Sequence, residues 1–232
     1  ANCLVGSEMC IRDSNMSKKG RVLVAMSGGI DSSVAAILLK EQGYDVVGLT
    51  MKTWDYVNSG SSGKETGCCS LDSINDARNI AVDLGFHHTI LDIRNEFGDY
   101  VIDYFTDEYM NGRTPNPCVL CNTHIKWNAL LKRADKLGCQ FIATGHYAKI
   151  KSKNNRYYIS MGKDENKDQS YALWGISQKN LSRTIFPLGD MEKSEIKRIA
   201  IERGYDNLVK KSESYEICFV PDNDYRGFLR HR

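Results

Sequence analysis

Several features that would place this chain in a specialised class are missing from its sequence. No apolar run approaches the roughly eighteen residues that a membrane-spanning helix needs. The formal charge of +2 at pH 7 excludes a polybasic coat, so any contact with nucleic acid has to be local. Eight cysteines in 232 residues are too dilute for a small disulfide-stapled domain and predict reduced thiols in the cytoplasm. The two commonest nucleotide-binding loops, G-x-x-x-x-G-K-S/T and G-x-G-x-x-G, are absent as well.

The most informative stretch that is present predicts a strand, a tight turn and a helix. Apolar residues 22–25 lead through residues 27–29, Ser-Gly-Gly, into a helical pattern. The glycines allow the backbone to approach a bulky anion, and the turn's serine hydroxyls, with those of Ser32 and Ser33, point with the first helical amides to the same place. The stretch therefore predicts a site for a phosphate chain, with Asp31 as the holder of a metal ion.

Buried strands alternate with helical patterns along the chain, which predicts an α/β fold with a doubly wound parallel sheet. A hairpin is expected to turn at Asn154-Asn155, and the C-terminal segment reads as partly helical. Ser27, Met51 and Gly145 fall at strand ends, where such sheets bind ligands. The four predicted strands are residues 22–25, 45–51, 88–92 and 140–144.

The cysteines predict a reactive pair. Cys118 and Cys121 open a predicted helix, and a helix start lowers a thiol pKa from about 8.5 toward neutrality. Structural zinc would need a second pair, and only Cys218 has similar surroundings. A thioredoxin-like pair would lie near the first strand instead of after the extended, proline-containing segment 114–117. Cys68-Cys69 and Cys139 are interpreted as unreactive.

The Ser-Gly-Gly-x-Asp-Ser turn resembles the PP-loop ATP pyrophosphatase superfamily, whose fold is adenine nucleotide alpha hydrolase-like. From residue 21 to the end, the chain is similar to the tRNA-specific 2-thiouridylase family. The motifs that carry this likeness are residues 27–32, 51–54, 112–117, 121–122, 125–127, 143–147, 167–171 and 217–219.

The resemblance implies an enzyme that uses ATP and Mg²⁺ to adenylate the 2-carbonyl oxygen of the wobble uridine in tRNA. Sulfur then replaces that oxygen and gives 2-thiouridine. It also implies a sulfur-donor protein as partner, no membrane, and a cytoplasmic location. The residues implied to bind ATP are Ala25, Met26, Ser27, Gly28, Gly29, Ile30, Asp31, Ser32, Met51 and Gly145. The residues implied to bind the target base are Asn116, Pro117 and Cys118, and those implied to contact tRNA are Lys167, Asp168 and Gln169.

The catalytic roles implied by the resemblance fall on two cysteines. Cys218 would carry a persulfide, and Cys121 would cleave it by forming a disulfide with Cys218. Such chemistry needs two cysteines that are distant in sequence and adjacent in space, near the phosphate loop. The uridine has to flip out of its stack, at a cost of a few kcal/mol.

One departure from the family pattern leaves an alternative open. Cys118 stands where the family has aspartate, so Cys118, Cys121 and Cys218 could ligate a four-iron, four-sulfur cluster with one open iron. The persulfide route is favoured over this cluster. Two other functions remain as alternatives: another PP-loop ligase or amidotransferase that acts on a small molecule, and a nucleotide-binding or zinc-stabilised module without turnover.

The predicted organisation has three parts. Residues 1–19 form an extraneous or disordered N-terminus without the apolar core of a signal peptide. Residues 20–165 form the PP-loop ATP-binding catalytic domain. Residues 166–232 form a tRNA-contacting helical segment that carries the second cysteine and is truncated before β-rich domains.

Overall fold

The computed structural model describes residues 19–54, 70–211, 217–220 and 224–232. These residues form a five-stranded parallel sheet of order β3-β2-β1-β4-β7 and a two-stranded antiparallel hairpin, β5-β6, which confirms the predicted α/β class. The strands are β1 (Arg21–Ala25), β2 (Asp45–Lys52), β3 (His87–Asp92), β4 (Phe141–Thr144), β5 (Ala148–Lys153), β6 (Arg156–Met161) and β7 (Thr184–Ile185). The helices are α1 (Ile30–Glu41), α2 (Leu71–Asp83), α3 (Arg94–Phe97), α4 (Asp103–Met110), α5 (Pro117–Leu120), α6 (Trp127–Lys136), α7 (Gln178–Leu181), α8 (Lys193–Glu202), α9 (Asp206–Val209) and α10 (Tyr225–Arg230).

Two π-helical segments and one 3-10 turn complete the described elements. Gly98–Ile102 joins α3 to α4, and Cys121–Lys126 joins α5 to α6. The 3-10 turn spans Ser170–Ala172. The hairpin turns at Asn154 and Asn155 with φ of 52° and 58°, as predicted, because asparagine tolerates the left-handed region.

The sheet register brings three strand ends to one edge. Ala25, the last residue of β1, pairs with Leu49 of β2 on one side and with Thr144 of β4 on the other. All three strands run parallel, so the turn after β1, the end of β2 and the residue after β4 lie next to one another. This is the edge where a doubly wound sheet binds its ligand.

Helices and the hairpin cover opposite faces of the sheet. Val22 and Val24 of β1 point into a cluster completed by α1, α2, α8 and α9. Leu23, between them, points into a second cluster that contains α6 and the inner face of the hairpin. A third cluster joins α3 and α4 to α10 and to residues 217–220. The alternation along β1 follows from the two-residue period of a strand.

Two details differ from the sequence prediction. Pro117 is the first residue of α5 and not part of an extended segment; a proline fits there because the first helical N–H needs no partner. Strand β7 was not predicted, because two residues give too short a pattern. It pairs with β4 from beyond the predicted domain boundary at residue 165, and that boundary stays a prediction.

Some predictions fall on residues that the structure does not describe. Nearly all of the predicted N-terminal part, 1–18, lies outside the described residues, as do Cys68 and Cys69. Within the described ranges, no helix combines the length and the apolar character needed to cross a membrane.

Candidate active site

The turn between β1 and α1 is closed by its own serines. The Ser27 backbone N–H donates to Ser32 Oγ at 3.0 Å. The Ser32 and Ser33 hydroxyls donate to the Gly29 carbonyl oxygen at 3.2 and 2.8 Å. Each hydroxyl has one proton, so these donors shape the turn. The expected roles of Ser32 and Ser33 at a ligand stay predictions.

The two glycines of the turn serve different purposes. Gly28 has φ +72°, and a Cβ there would overlap the backbone of Ser73 at the start of α2, so only glycine fits. Gly29 is the N-cap of α1 and supplies no side-chain cap to the first amides. An N-terminus without such a cap favours an anion through its amides and the helix dipole.

Gly145 closes the site from the side of β4. A Cβ on Gly145 would lie 2.8 Å from the Asp31 carbonyl carbon and 2.8 Å from the Ser32 nitrogen. The chain after β4 therefore touches the start of α1. Met51 lies on β2 beside the same edge and borders both the second and third clusters. The structure thus brings the predicted ATP-binding residues together, although their binding role stays a prediction.

Asp31 is engaged by two side chains that the sequence interpretation missed. Lys193 Nζ lies 2.8 and 2.9 Å from its two carboxylate oxygens, and the Tyr147 hydroxyl donates to Oδ1 at 2.6 Å. Lys193 opens α8, where the helix dipole disfavours a cation. That unfavourable placement is the sequence signal that could have marked this lysine. The Lys193 side chain is only 10% exposed.

The predicted tRNA-contacting segment supports Tyr147, the partner of Asp31, through hydrogen bonds with Gln169. Gln169 Oε1 accepts from the Tyr147 N–H at 3.1 Å, and the Gln169 N–H donates to the Tyr147 carbonyl oxygen at 2.9 Å. Asp168 accepts from the Gly162 N–H at 2.9 Å and from the Ser170 hydroxyl at 2.7 Å. The side chains of Asp168 and Gln169 therefore bond within the chain. A tRNA contact by these residues and Lys167 stays a prediction.

The C-x-x-C segment has a half-buried cysteine, Cys121, and an exposed one, Cys118. The Asn116 side chain caps α5 by accepting from the Val119 N–H at 3.2 Å, and Cys118 is exposed on the first turn. Burial raises the pKa of Cys121, with a smaller contribution from Cys118, while Lys126 acts in the opposite direction. The predicted lowering by a helix start is wrong for Cys121, because the residue lies beyond the end of a four-residue helix and burial dominates.

The segment that carries Cys218 docks on the cluster that Cys121 borders. Cys218 itself is exposed, while its neighbour Phe219 is buried in the third cluster. The Phe219 ring lies 5.8 Å from the ring of Phe97 and 5.1 Å from that of Phe105. The structure therefore places Cys121 and the Cys218 segment on one cluster, and the cooperation of the two cysteines stays a prediction.

The cysteines do not fit an iron–sulfur cluster as they stand. Throughout the part of the chain that the structure describes, no three His, Cys, Asp or Glu side chains are grouped as metal ligands. Cys118, Cys121, Cys139 and Cys218 are all thiols.

Two curated proteins are highly similar to this chain in sequence. The tRNA-specific 2-thiouridylase MnmA of Cytophaga hutchinsonii is 76% identical over 217 residues, which cover 94% of this chain and 59% of that protein. The MnmA of Amoebophilus asiaticus is 75% identical over 215 residues, 93% of this chain and 57% of that protein. The chain thus spans less than two thirds of the curated relatives it matches.

A solved structure and a family complete the comparison. The crystal structure of a 4-thiouridine synthetase–RNA complex with bound ATP has the same fold, with a TM-score of 0.58 and 21% identity, over 88% of this chain and 46% of that one. The family described as "tRNA methyl transferase HUP domain" matches residues 20–222. The chain belongs to this family.

Proposed function

We propose that this chain catalyses ATP-dependent replacement of the 2-oxygen of the tRNA wobble uridine by sulfur. The observation that carries the proposal is the position of Met51, which joins the PP-loop edge of the sheet to the cluster of Cys121 and the Cys218 segment. Activation by ATP and delivery of sulfur would then share one site. The names of the relatives, 75–76% identical, support the same reaction.

The first step activates the base. The 2-carbonyl oxygen of uridine attacks the α-phosphorus of ATP, an O–P bond forms, the bond to the bridging oxygen breaks, and pyrophosphate leaves. The carbonyl oxygen alone is too basic to leave, whereas an oxygen that carries AMP leaves readily. The chain's part is to hold the triphosphate at the turn of residues 26–29 and the start of α1.

The second step transfers sulfur. The terminal sulfur of a Cys218 persulfide attacks C2, and AMP leaves with the original oxygen. The Cys121 thiol gives its proton to solvent, and its thiolate attacks the inner sulfur of Cys218. The bond between the inner sulfur of Cys218 and the transferred sulfur breaks, and its electron pair stays on the sulfur that is now bonded to the base. That sulfur is reduced, and Cys121 and Cys218 are oxidised to a disulfide. A dithiol reductant and a sulfur-donor protein restore the thiol and the persulfide.

Lys193 and Asp31 are the charged side chains beside the proposed ATP site. Asp31 accepts from Lys193 and Tyr147, so it does not offer an uncompensated carboxylate for Mg²⁺. We expect Mg²⁺ to arrive on the ATP phosphates, where it would offset their charge. Lys193 would add a fixed positive charge beside the turn.

The remaining assignments follow the sequence motifs. Asn116, Pro117 and Cys118 would contact the flipped uridine, because Cys118 is exposed on the turn that precedes Cys121. Residues 167–169 would contact the tRNA. The reaction would take place in the cytoplasm, with a sulfur-donor protein as partner. The cluster alternative predicts iron in anaerobically purified protein, and an iron-free, fully active protein would eliminate it.

The test is nucleoside mass spectrometry of tRNA from thiolation-deficient cells. The tRNA is incubated with the chain, ATP with Mg²⁺, L-cysteine, a cysteine desulfurase and a dithiol reductant. We expect 2-thiouridine and pyrophosphate with the unaltered chain, and no 2-thiouridine with Cys121→Ser or Cys218→Ser. Cys139→Ala is the matched control, because Cys139 is buried beside β4. ATP turnover that is independent of tRNA and unchanged in both serine variants, with no 2-thiouridine formed, would favour a small-molecule ligase. No pyrophosphate release with or without tRNA would favour a binding module.

A further inference from the structure

A cationic face of the hairpin and two exposed aromatic rings remain unassigned to the chemistry above. In the β5-β6 ladder, Lys151 pairs opposite Tyr158, and Lys153 pairs opposite Arg156. Directly opposed residues share a face, so these four side chains project together on the outer side. The inner side is the one that packs on the second cluster.

This outer face has uncompensated positive charge. Lys149, on the same face, is paired with Asp190 at 2.8 Å. No carboxylate elsewhere in the described ranges forms an ion pair with Lys151, Lys153 or Arg156. Gln178 fixes the strand by accepting from the Tyr157 N–H at 2.9 Å and donating to its carbonyl oxygen at 2.7 Å. Arg156 therefore lies on a strand that Gln178 holds, and Lys151 and Lys153 lie on the strand paired with it.

Exposed aromatic rings lie beside β6 and extend toward the cysteines. Trp174 is 74% exposed and lines a groove of about 560 Å³ that lies between the outer-face residues Lys153, Arg156 and Tyr158 and the second-cluster residues Tyr157, Ile159, Ile176 and Leu181. Tyr171 is 59% exposed, and its 3-10 turn packs against both β6 and α5. Cys118 lies close enough to raise the pKa of Tyr171, after the larger effect of burial. The strip therefore runs from the hairpin to the proposed base site.

We propose that this strip binds the unpaired nucleotides of an RNA loop, with bases stacked on Trp174 and Tyr158 and phosphates held by Lys151, Lys153 and Arg156. Single-stranded nucleic acid is bound by aromatic platforms beside a positive track. An exposed tryptophan next to unpaired cations fits this chemistry better than a protein partner, since interface cores are depleted of lysine. Only the identity of the RNA, an anticodon loop, rests on the proposed function.

The test measures binding of a fluorescent anticodon stem-loop RNA with uridine at the wobble position. Trp174→Ala should weaken binding about tenfold, and Trp174→Phe should restore most of it. Lys151→Gln/Lys153→Gln should reduce the slope of log affinity against log salt by about 1.4. The control Lys40→Gln/Lys210→Gln changes two lysines at the C-terminal ends of α1 and α9, which cover the other sheet face, and should keep the slope. A blunt RNA duplex should not distinguish Trp174→Ala from the unaltered chain.

Two results would overturn the proposal: unaltered chain that does not bind the stem-loop, or Trp174→Ala that binds it as tightly as the unaltered chain does. Failure of the proposed function has a different signature. A chain that binds the loop through Trp174 but forms no 2-thiouridine would leave the strip in place and reject the reaction.

Discussion

The PP-loop turn and the Cys218 segment are held by contacts of very different range. The hydrogen bonds that close residues 27–29 of the turn, such as the one from Ser27 to Ser32, join residues at most five positions apart. Phe219 instead contacts Phe97 and Phe105, which precede it by more than one hundred positions. A local turn re-forms whenever its strand and helix form, whereas a docked segment depends on the whole third cluster. ATP binding and sulfur delivery should therefore fail separately when each region is disturbed.

The largest effect is expected from Phe219→Ala. The ring is buried among other rings, so its removal should lower the free energy of unfolding by about 3–5 kcal/mol. Urea unfolding measures that loss, and calorimetric titration with ATP should show unchanged affinity in folded protein. Phe219→Leu, which fills most of the space, should cost less than about 1.5 kcal/mol. A parallel loss of ATP affinity would show that the two regions are not separable.

Gly145→Ala should disturb the region of the PP-loop turn. The added Cβ would press on the backbone of Asp31 and Ser32, which should cost about 1–3 kcal/mol and weaken ATP binding. Gly98→Ala, in the third cluster region, meets no atom within 4 Å and should stabilise its helical segment by about 0.5–1 kcal/mol. Equal ATP affinity in both variants would contradict the assignment of Gly145.

Lys193→Met tests the charge beside the turn. The variant leaves the Asp31 carboxylate with Tyr147, and because that carboxylate is about one third exposed, the loss of stability should be about 1–2 kcal/mol. ATP affinity should fall as well. The double variant Asp31→Asn/Lys193→Met should recover part of the stability, and independent effects in that cycle would exclude a coupled pair.

Acid should lower the free energy of unfolding through His146, which follows β4. Burial, with a smaller effect of Lys126, lowers the pKa of His146 to about 3. The folded state therefore favours neutral imidazole, and its stabilising contribution is complete above pH 6.5 and lost progressively as pH falls toward 3. From pH 7.5 to 5.5 the expected loss is about 1.4 kcal/mol. Chemical unfolding of His146→Asn should show a shallower slope, and an unchanged slope would reject this assignment.

The sequence predicted the sheet edge well because its information is local. A few neighbouring positions are enough to predict the structure of each part: the apolar residues 22–25, the glycines after them, and the strand before Gly145. Parallel pairing then places the strand ends together without further information.

Long-range contacts were not predictable in the same way. No local pattern links Lys193 to Asp31, 162 positions earlier. The direction of the Cys121 pKa was predicted wrongly because burial by distant residues outweighs the helix start. The persulfide and disulfide roles of Cys121 and Cys218, and the predicted base and tRNA contacts, stay predictions.

Peptide mapping after mild diamide oxidation tests the central claim most directly, because a disulfide forms only between cysteines whose Cα atoms approach to about 4.4–6.8 Å. The account predicts a peptide pair joined through Cys121 and Cys218 in the unaltered chain, and the same pair in Cys118→Ser. Recovery of Cys218 as an unmodified thiol, with Cys121 joined only to Cys118, would contradict it.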